Sequence, residues 1–273
     1  MMMQGKKGLV MGVANDRSIA WGIAKKLASE GAEIAFTYQG EALKKRVGPL
    51  ATSIGSSILI PCDVTDSKSM INTFETLKKE WGNIDFLVHC IGFSNKDELR
   101  GKYFNTSSEN FNQTMHISCY SFTEACRLAE PLMNNGGSII TLTYYGSEQV
   151  MPHYNVMGVA KAALEASVRY LAVDMGEKNI RVNAISAGPI KTLAASGIGD
   201  FRFILRWNEL NAPLKRNVNQ EDVGNSALYL LSDLGSAVTG EIQHVDCGYH
   251  TVGMVATDEA KKVSELLDEF SKD

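Results

Sequence analysis

The chain has 273 residues, of which 44% are hydrophobic. It carries 27 Lys and Arg residues against 31 Asp and Glu residues, so its formal net charge is −4. This composition is typical of a globular protein and excludes a disordered chain, because disorder needs low hydrophobicity together with high net charge. The mild acidity also argues against nucleic acid as the main partner, because a phosphate backbone calls for a basic protein face.

Short β-rich segments alternate with helical patterns along the whole chain. Strands are expected at residues 8–11, 33–37, 57–62, 84–90, 138–143, 181–186 and 242–246. Helices are expected at residues 18–30, 67–81, 110–133 and 155–175. The strands are continuous apolar runs, as expected when both faces are buried. The alternation therefore predicts an α/β fold, with a doubly wound, seven-stranded parallel sheet and helices on both faces, as in Rossmann-like proteins.

No linker or repeat divides the sequence, so we expect a single domain over residues 1–273. Two long stretches without clear periodicity, residues 144–154 and 190–211, follow predicted strands, where open α/β sheets bind ligands. Residues 254–273 form a C-terminal extension in which Val263, Leu266 and Phe270 recur at helical spacing. This amphipathic tail is expected to pack on the chain itself or on a neighbouring subunit.

Membrane, secretory and metal-binding features are not expected in this sequence. The longest apolar runs are far shorter than the roughly 20 residues of a membrane span. No apolar secretory segment begins the sequence, so a cytoplasmic location is expected. The five cysteines include no C-x-x-C pair and the five histidines lack helical metal spacing, so no metal site is predicted.

The turn after the first predicted strand has features of a dinucleotide site, although it does not follow the G-x-G-x-x-G pattern. Gly12 permits a tight turn, and Ser18 is predicted to cap the following helix. The N-terminus of that helix would then face the crevice, where its free N–H groups suit a pyrophosphate. The same residues also fit a plain βα turn.

Three further strand ends point to the same site. The second strand is followed by Gln39, with no acidic residue for the ribose and no Arg for a 2′-phosphate, which favours NADH over NADPH. The third strand is followed by Asp63 and Val64, a hydrogen-bond acceptor and an apolar flank suited to an adenine edge. The fourth leads to Ile91 and Gly92, where the glycine lets the backbone approach a ligand.

Tyr154 and Lys161 are seven residues apart at the start of a predicted helix. Seven residues make nearly two turns, so both side chains share one face at about 10.5 Å along the axis. Each side chain can then reach a different part of one elongated ligand. On most helices the same spacing would be a surface coincidence.

Taken together, these segments resemble the short-chain dehydrogenase/reductase superfamily, and most closely its NADH-dependent enoyl-acyl-carrier-protein reductases of bacterial type II fatty-acid synthesis. The similarity runs from about Gly5 to about Gly253. It rests on residues 12–14, 18–20, 36–39, 62–64, 89–93, 154–161, 181–190 and 192–198. The spacing Tyr-x6-Lys, in place of the superfamily's Tyr-x3-Lys, marks the enoyl-reductase branch.

The resemblance implies roles for individual residues. Tyr154 would hydrogen-bond the thioester carbonyl, Lys161 would hold the nicotinamide ribose, and Tyr144 would be a second active-site tyrosine. The implied cofactor contacts are Gly12, Ser18, Ile19, Gln39, Asp63, Val64, Ile91, Lys161, Ile190, Lys191, Thr192, Leu193 and Ala194. The implied substrate contacts are Ser94, Tyr144, Tyr154, Met157, Ile198 and Phe201.

The implied reaction is reduction of the trans-2 double bond of an enoyl-acyl-carrier-protein thioester by NADH, the last reductive step of fatty-acid elongation. The implied partners are the acyl carrier protein and further copies of the chain in a homotetramer. We also expect the positive charge of Lys161 to lower the pKa of the Tyr154 phenol. Gly199 and Phe203 stand where some relatives carry basic residues, so the docking of an acidic carrier protein stays open.

Two other functions stay open on the residues alone. A 3-oxoacyl reductase of the same superfamily normally uses a Ser about a dozen residues before the Tyr, and Thr141 and Thr143 only approximate it. A dinucleotide-sensing protein would bind NADH without turnover, since fold alone does not imply catalysis.

Overall fold

Seven parallel strands form one continuous sheet in the computed structural model, which describes residues 1–193, 195 and 199–270. The strands are β1 Lys7–Met11, β2 Glu33–Tyr38, β3 Leu59–Pro61, β4 Phe86–His89, β5 Gly137–Thr143, β6 Ile180–Ala187 and β7 Ile242–Val245. Their order in the sheet is β3-β2-β1-β4-β5-β6-β7, and every neighbouring pair is parallel. The predicted doubly wound sheet is confirmed, and each predicted strand lies within two residues of its observed bounds.

Helices cover both faces of the sheet. They are α1 Ile19–Ser29, α2 Gly40–Ser53, α3 Ser67–Trp81, α4 Ser108–Met115, α5 Ser121–Ala129, α6 Asn155–Gly176, α7 Phe201–Asn211, α8 Gln220–Leu231 and α9 Ala260–Phe270. Successive strand residues enter opposite cores: Val10 and Val88 pack with α1 and α8, whereas Leu9 and Leu87 pack with α3, α5 and α6. Burial on both faces explains why the strands are continuous apolar runs.

The predicted helix 110–133 is wrong as a single element. The chain instead forms α4, a π-helical turn at His116–Tyr120, α5 and a short 3-10 turn at Glu130–Leu132. The π-helical turn places Ser118 against the backbone of Phe93, which lies 25 residues earlier. The π-helical turn interrupts the regular α-helical hydrogen bonding at this point. Because the contact joins residues far apart in the sequence, no local pattern predicts it.

The second half of the stretch 190–211, expected to be irregular, is the helix α7. This helix is amphipathic, because Ile204 and Leu205 are buried while its other face is more open. The predicted tail helix is confirmed as α9, which packs against α7. The rings of Phe270 and Phe203 meet edge to face at 5.4 Å between centroids, and Glu269 accepts a 2.8 Å bond from Arg202.

No helix in the described part of the chain combines the length and the apolar character of a membrane span.

Candidate active site

The carboxyl ends of the central strands surround a cavity of about 760 Å³. Its walls come from the segments that follow β4, β5 and β6, from the start of α6, and from α7. Open α/β sheets bind ligands at this edge. The cavity therefore lies where the two long connections were predicted to form a site.

Eleven of the predicted site residues line this one cavity. They are Ile19, Ile91, Ser94, Tyr144, Tyr154, Met157, Lys161, Ile190, Thr192, Leu193 and Phe201. Five predicted cofactor residues lie outside its wall, on the turns after β1, β2 and β3: Gly12, Ser18, Gln39, Asp63 and Val64. Lys191 lines a neighbouring cavity of about 550 Å³ with the basic side chains of Arg17, Arg202 and Arg206. Ala194 and Ile198 lie outside the described residues.

Tyr154 and Lys161 are both buried, at 7% exposure each, and both line the cavity from the start of α6. Tyr154 occupies the position just before α6 begins, and its ring meets that of Tyr144 edge to face at 5.1 Å. The Lys161 Nζ donates a 2.8 Å hydrogen bond to the carbonyl oxygen of Leu142 on β5. The sheet thus fixes the ammonium group, while the two tyrosines fix each other.

The expectation that Lys161 lowers the pKa of Tyr154 is wrong. Burial raises the pKa of the Tyr154 phenol, and the neighbouring Tyr144 and Glu165 raise it further. Burial lowers the pKa of Lys161 itself to about 8, because a buried ammonium loses its hydration. Burial also raises the pKa of Tyr144. Both phenols are therefore neutral hydrogen-bond donors at physiological pH.

Two glycines that sequence analysis left without a role let the loop after β5 pack against Tyr154. A Cβ on Gly146 would lie 2.5 Å from the Tyr154 ring, and a Cβ on Gly158 would lie 2.6 Å from the Gly146 carbonyl oxygen. Any side chain at either position would displace the tyrosine or the loop. Glycine is common in loops and helix starts, so composition gave no signal here.

The wall after β4 is held by hydroxyl and amide groups from α4 and the π-helical turn. Ser118 accepts from the Phe93 N–H at 3.0 Å and donates to its carbonyl oxygen at 3.1 Å. The Ser94 hydroxyl lies 2.9 Å from Thr114 Oγ1 and 3.2 Å from the Asn110 amide. Ser94 thus lines the cavity with its hydroxyl already held from behind.

The turn after β1 has a shape suited to a dinucleotide, but Ser18 does not play the helix-capping role that the sequence suggested. Gly12 has φ +97°, and a Cβ there would lie 2.1 Å from the Cys90 carbonyl oxygen, so only glycine brings the backbone this close. Ser18 does not cap α1; its Oγ instead accepts from the N–H groups of Ala14 and Asn15, at 3.0 and 3.1 Å. The first-turn N–H groups of α1 therefore have no side-chain cap and remain suited to a pyrophosphate.

The adenosine end of the predicted cofactor site is a pair of linked side chains. Gln39 Nε2 donates to Asp63 Oδ2 at 2.9 Å, and Asp63 Oδ1 accepts from the backbone and hydroxyl of Thr65. The carboxylate is thus fixed beside Val64, which is buried. In the described part of the chain, no group of three or more His, Cys, Asp or Glu side chains is placed to bind a metal ion.

Comparison with known proteins settles the family. A family model described as enoyl-(acyl carrier protein) reductase matches residues 12–250. The chain belongs to this family. It is 68% identical over 267 residues to enoyl-(acyl-carrier-protein) reductase (NADH) 1 of Rhizobium meliloti, covering 98% of each chain. The corresponding FabI enzyme of Rickettsia typhi is 60% identical, over 92% of this chain and 97% of the relative.

Solved enoyl-(acyl-carrier-protein) reductases share the fold closely. The enzyme from Anaplasma phagocytophilum, in complex with NAD, superimposes with a TM-score of 0.91 at 63% identity, covering 94% of this chain and 98% of that one. The Bacillus cereus enzyme, with NADP+ and an indole naphthyridinone, gives a TM-score of 0.91 at 53% identity, covering 93% and 99%. The cavity described above is thus part of an enoyl-reductase fold.

Proposed function

We infer that the protein is an NADH-dependent enoyl-acyl-carrier-protein reductase. It reduces the trans-2 double bond of an enoyl thioester, which is the last reductive step of the fatty-acid elongation cycle. The observation that carries this conclusion is the buried pair of Tyr154 and Lys161 on one wall of the 760 Å³ cavity, in a chain that belongs to the enoyl-reductase family.

Tyr154 supplies a neutral hydrogen-bond donor to the reacting thioester. When bound, NADH provides the hydride that the β-carbon of the substrate receives. Negative charge then builds on the thioester oxygen, and a donor aimed at that oxygen stabilises the charge as it develops. Because burial raises the pKa of the phenol, Tyr154 keeps its proton and donates a hydrogen bond to that oxygen. Tyr144, packed edge to face against it, orients the ring from the substrate side.

Lys161 holds the cofactor rather than activating the tyrosine. Its ammonium group is fixed by the Leu142 carbonyl oxygen and keeps two further N–H bonds for the nicotinamide ribose hydroxyls. We assign the same cofactor to Ile190, Thr192 and Leu193, which line the cavity. The remaining proposed contacts are Gly12, Ser18, Ile19, Gln39, Asp63, Val64, Ile91, Lys191 and Ala194.

An apolar wall receives the acyl chain and excludes water. Met157, Phe201 and Ile204 line this part of the cavity, and Ser94 lines it from the segment after β4. Ile198, outside the described residues, is a proposed substrate contact by resemblance to the family alone. Exclusion of water strengthens the hydrogen bond from Tyr154, because electrostatic interactions are less screened in a dry site.

The 3-oxoacyl reductase alternative is disfavoured by the positions of the two threonines. Thr143 Oγ1 donates to Glu165, and Thr141 Oγ1 donates to the His89 carbonyl oxygen. Neither hydroxyl is free to play the part of the serine that ketone reductases of this superfamily use. A sensor without turnover would bind NADH and oxidise none of it with any enoyl thioester.

We further propose the assembly and setting of the enzyme. The chain acts as one reductase domain over residues 1–273, with residues 254–273 as a C-terminal extension whose helix α9 packs on α7. Acyl carrier protein delivers the substrate, and the enzyme works as a cytoplasmic homotetramer, since closed symmetry is the usual outcome for soluble oligomers.

The test is NADH oxidation with crotonyl thioester, compared with acetoacetyl thioester and with NADPH. We expect turnover with crotonyl thioester and NADH. Tyr154→Phe should lower turnover by about a hundredfold and leave NADH affinity unchanged, because the ring stays and only the donor is lost. Lys161→Ala should chiefly weaken NADH binding. Crotonyl reduction at the original rate by both variants would overturn the assignment.

A further inference from the structure

Glu165 is a buried carboxylate that the proposed chemistry does not use. It lies on α6, four residues after Lys161, and is 6% exposed. Burying a carboxylate is unfavourable unless hydrogen bonds or an opposite charge compensate for the lost water. Within the described residues, no Lys or Arg side chain lies within 4.0 Å of its carboxylate. A carboxylate buried without an ion-pair partner next to a candidate active site is a candidate for a functional role.

The hydrogen bonds of Glu165 fix the segment that carries Tyr144. Its Oε1 accepts from the hydroxyl of Thr143, the last residue of β5, at 2.6 Å. The same oxygen accepts from the hydroxyl of Ser147, which ends the 3-10 turn after Tyr144. One carboxylate oxygen therefore ties both ends of a five-residue segment, and Tyr144 lies between the two ties. Since Tyr144 packs against Tyr154 at 5.1 Å, loosening this segment would release both rings.

The charge of Glu165 also acts on both proposed catalytic groups. It raises the pKa of Lys161 against the lowering that burial causes, and it adds to the raised pKa of Tyr154. The thiols of Cys90 and Cys119 also raise the pKa of Lys161, and more strongly than Glu165 does, while the buried His89 is the further titratable group that interacts with this lysine. Burial raises the pKa of Cys90 to about 12, so this thiol is neutral near pH 8. Among the described groups that act on Lys161, Glu165 is thus the one carboxylate.

We propose that Glu165 is a positioning residue of the reduction: it holds Tyr144 against Tyr154 through Thr143 and Ser147, and its negative charge, one helical turn from Lys161, favours the cationic form of that lysine. This inference rests on the proposed function. The proposed role depends on two properties of Glu165, the length of its side chain and its negative charge. Two conservative substitutions remove these properties one at a time. Gln keeps the length and an oxygen acceptor but no charge, whereas Asp keeps the charge but is one methylene too short.

The first measurement is the NADH dissociation constant across about pH 6 to about pH 10, followed by NADH fluorescence without substrate. In the unaltered protein, affinity should fall as pH rises through about 8, where Lys161 loses its proton. Glu165→Gln should move this midpoint down by about half a unit or more, because a neighbouring opposite charge has been removed. An unmoved midpoint would overturn the electrostatic role.

The second measurement is turnover of crotonyl thioester at saturating NADH. Glu165→Asp should leave the binding midpoint in place and lower kcat by about tenfold, because the tie to Tyr144 is broken. Unchanged kcat would overturn the positioning role. Should Glu165→Asp fail to fold, Ser147→Ala repeats this test at a half-buried hydroxyl and leaves the carboxylate in place.

The matched control is Glu124→Gln, which neutralises another buried carboxylate, on α5 and outside the cavity wall. We expect it to shift neither the midpoint nor kcat, so a general effect of removing buried charge is separated from a local one.

The two proposals also fail differently. If the unaltered protein does not reduce crotonyl thioester, the proposed function fails, whereas the binding midpoint of Glu165→Gln still tests the electrostatic role.

Discussion

His89 predicts a loss of stability in acid that a single substitution can remove. This last residue of β4 is fully buried, with Nδ1 3.1 Å from Thr141 Oγ1 and Nε2 2.9 Å from Ser121 Oγ. Its ring packs on Phe122 at 5.3 Å between centroids. Burial, together with the charge of Lys161, lowers the pKa of His89 from 6.5 to about 3. The folded protein therefore keeps this imidazole neutral wherever pH exceeds about 3.

The direction and size of the effect follow from proton linkage. Below pH 6.5 the unfolded chain takes up a proton at His89 that the folded protein does not, so the free energy of unfolding falls as pH falls. The loss is about 2 kcal/mol between pH 7 and pH 5, and it reaches about 4 kcal/mol at pH 3. Above pH 7 both states are neutral at this residue and the contribution is constant.

His89→Asn replaces the imidazole with an amide that does not titrate. Urea unfolding at pH 7, 6 and 5, followed by the fluorescence of the three tryptophans at one fixed protein concentration, gives the free energy of unfolding for both proteins. The carboxylates and the other histidines titrate equally in the original protein and in the variant. Their contributions therefore cancel in the difference between the two free energies of unfolding. We expect the advantage of the original protein over the variant to shrink by about 2 kcal/mol from pH 7 to pH 5. Parallel pH profiles would refute the reasoning.

Two further predictions concern the turn after β1 and the C-terminal helix. Gly12→Ala should abolish NADH binding or unfold the protein, because its Cβ would lie 2.1 Å from the Cys90 carbonyl oxygen. Gly55→Ala, also at positive φ but with open space around it, should lower the free energy of unfolding by only about 1 to 2 kcal/mol in a thermal scan of both variants; equal effects would contradict the steric argument. Phe270→Ala removes the ring that packs on Phe203 of α7, and should raise KM for crotonyl thioester severalfold with little change in kcat. An unchanged KM would show that α9 does not support the cavity wall.

The sheet and the common face of Tyr154 and Lys161 were predictable because both follow from local patterns, whereas the roles of the two residues came from the family resemblance. A strand buried on two faces is a continuous apolar run, and parallel strands bring their carboxyl ends to one edge. Helical geometry alone then places residues seven apart on one face. None of these inferences needs the identity of a distant neighbour, so the sequence was sufficient for them.

Features that depend on distant or competing partners were not predictable. Ser118 holds Phe93 across 25 residues, and Glu165 holds Thr143 across 22, with no periodicity to mark either pair. Ser18 had two sets of backbone N–H groups within reach, those of its helix and those of the preceding loop, and it bonds to the loop. A serine is favoured at this position whether its hydroxyl caps the helix or bonds to the preceding loop. Only the folded geometry therefore shows which of the two hydrogen bonds forms.

The pKa of Tyr154 shows why spacing alone gave the wrong sign. At about 10.5 Å and an effective dielectric constant of about 20, the charge of Lys161 would favour the phenolate by about 1.6 kcal/mol, or roughly one pKa unit. Full burial of a phenol raises its pKa by up to several units, so burial outweighs the ammonium. A lysine one helical turn from the tyrosine would lower the pKa of the phenol more strongly. At two turns, Lys161 affects that pKa less and can bind the cofactor instead. Tyr154 must therefore act as a neutral donor, and its rate contribution should show no phenolate titration below pH 10.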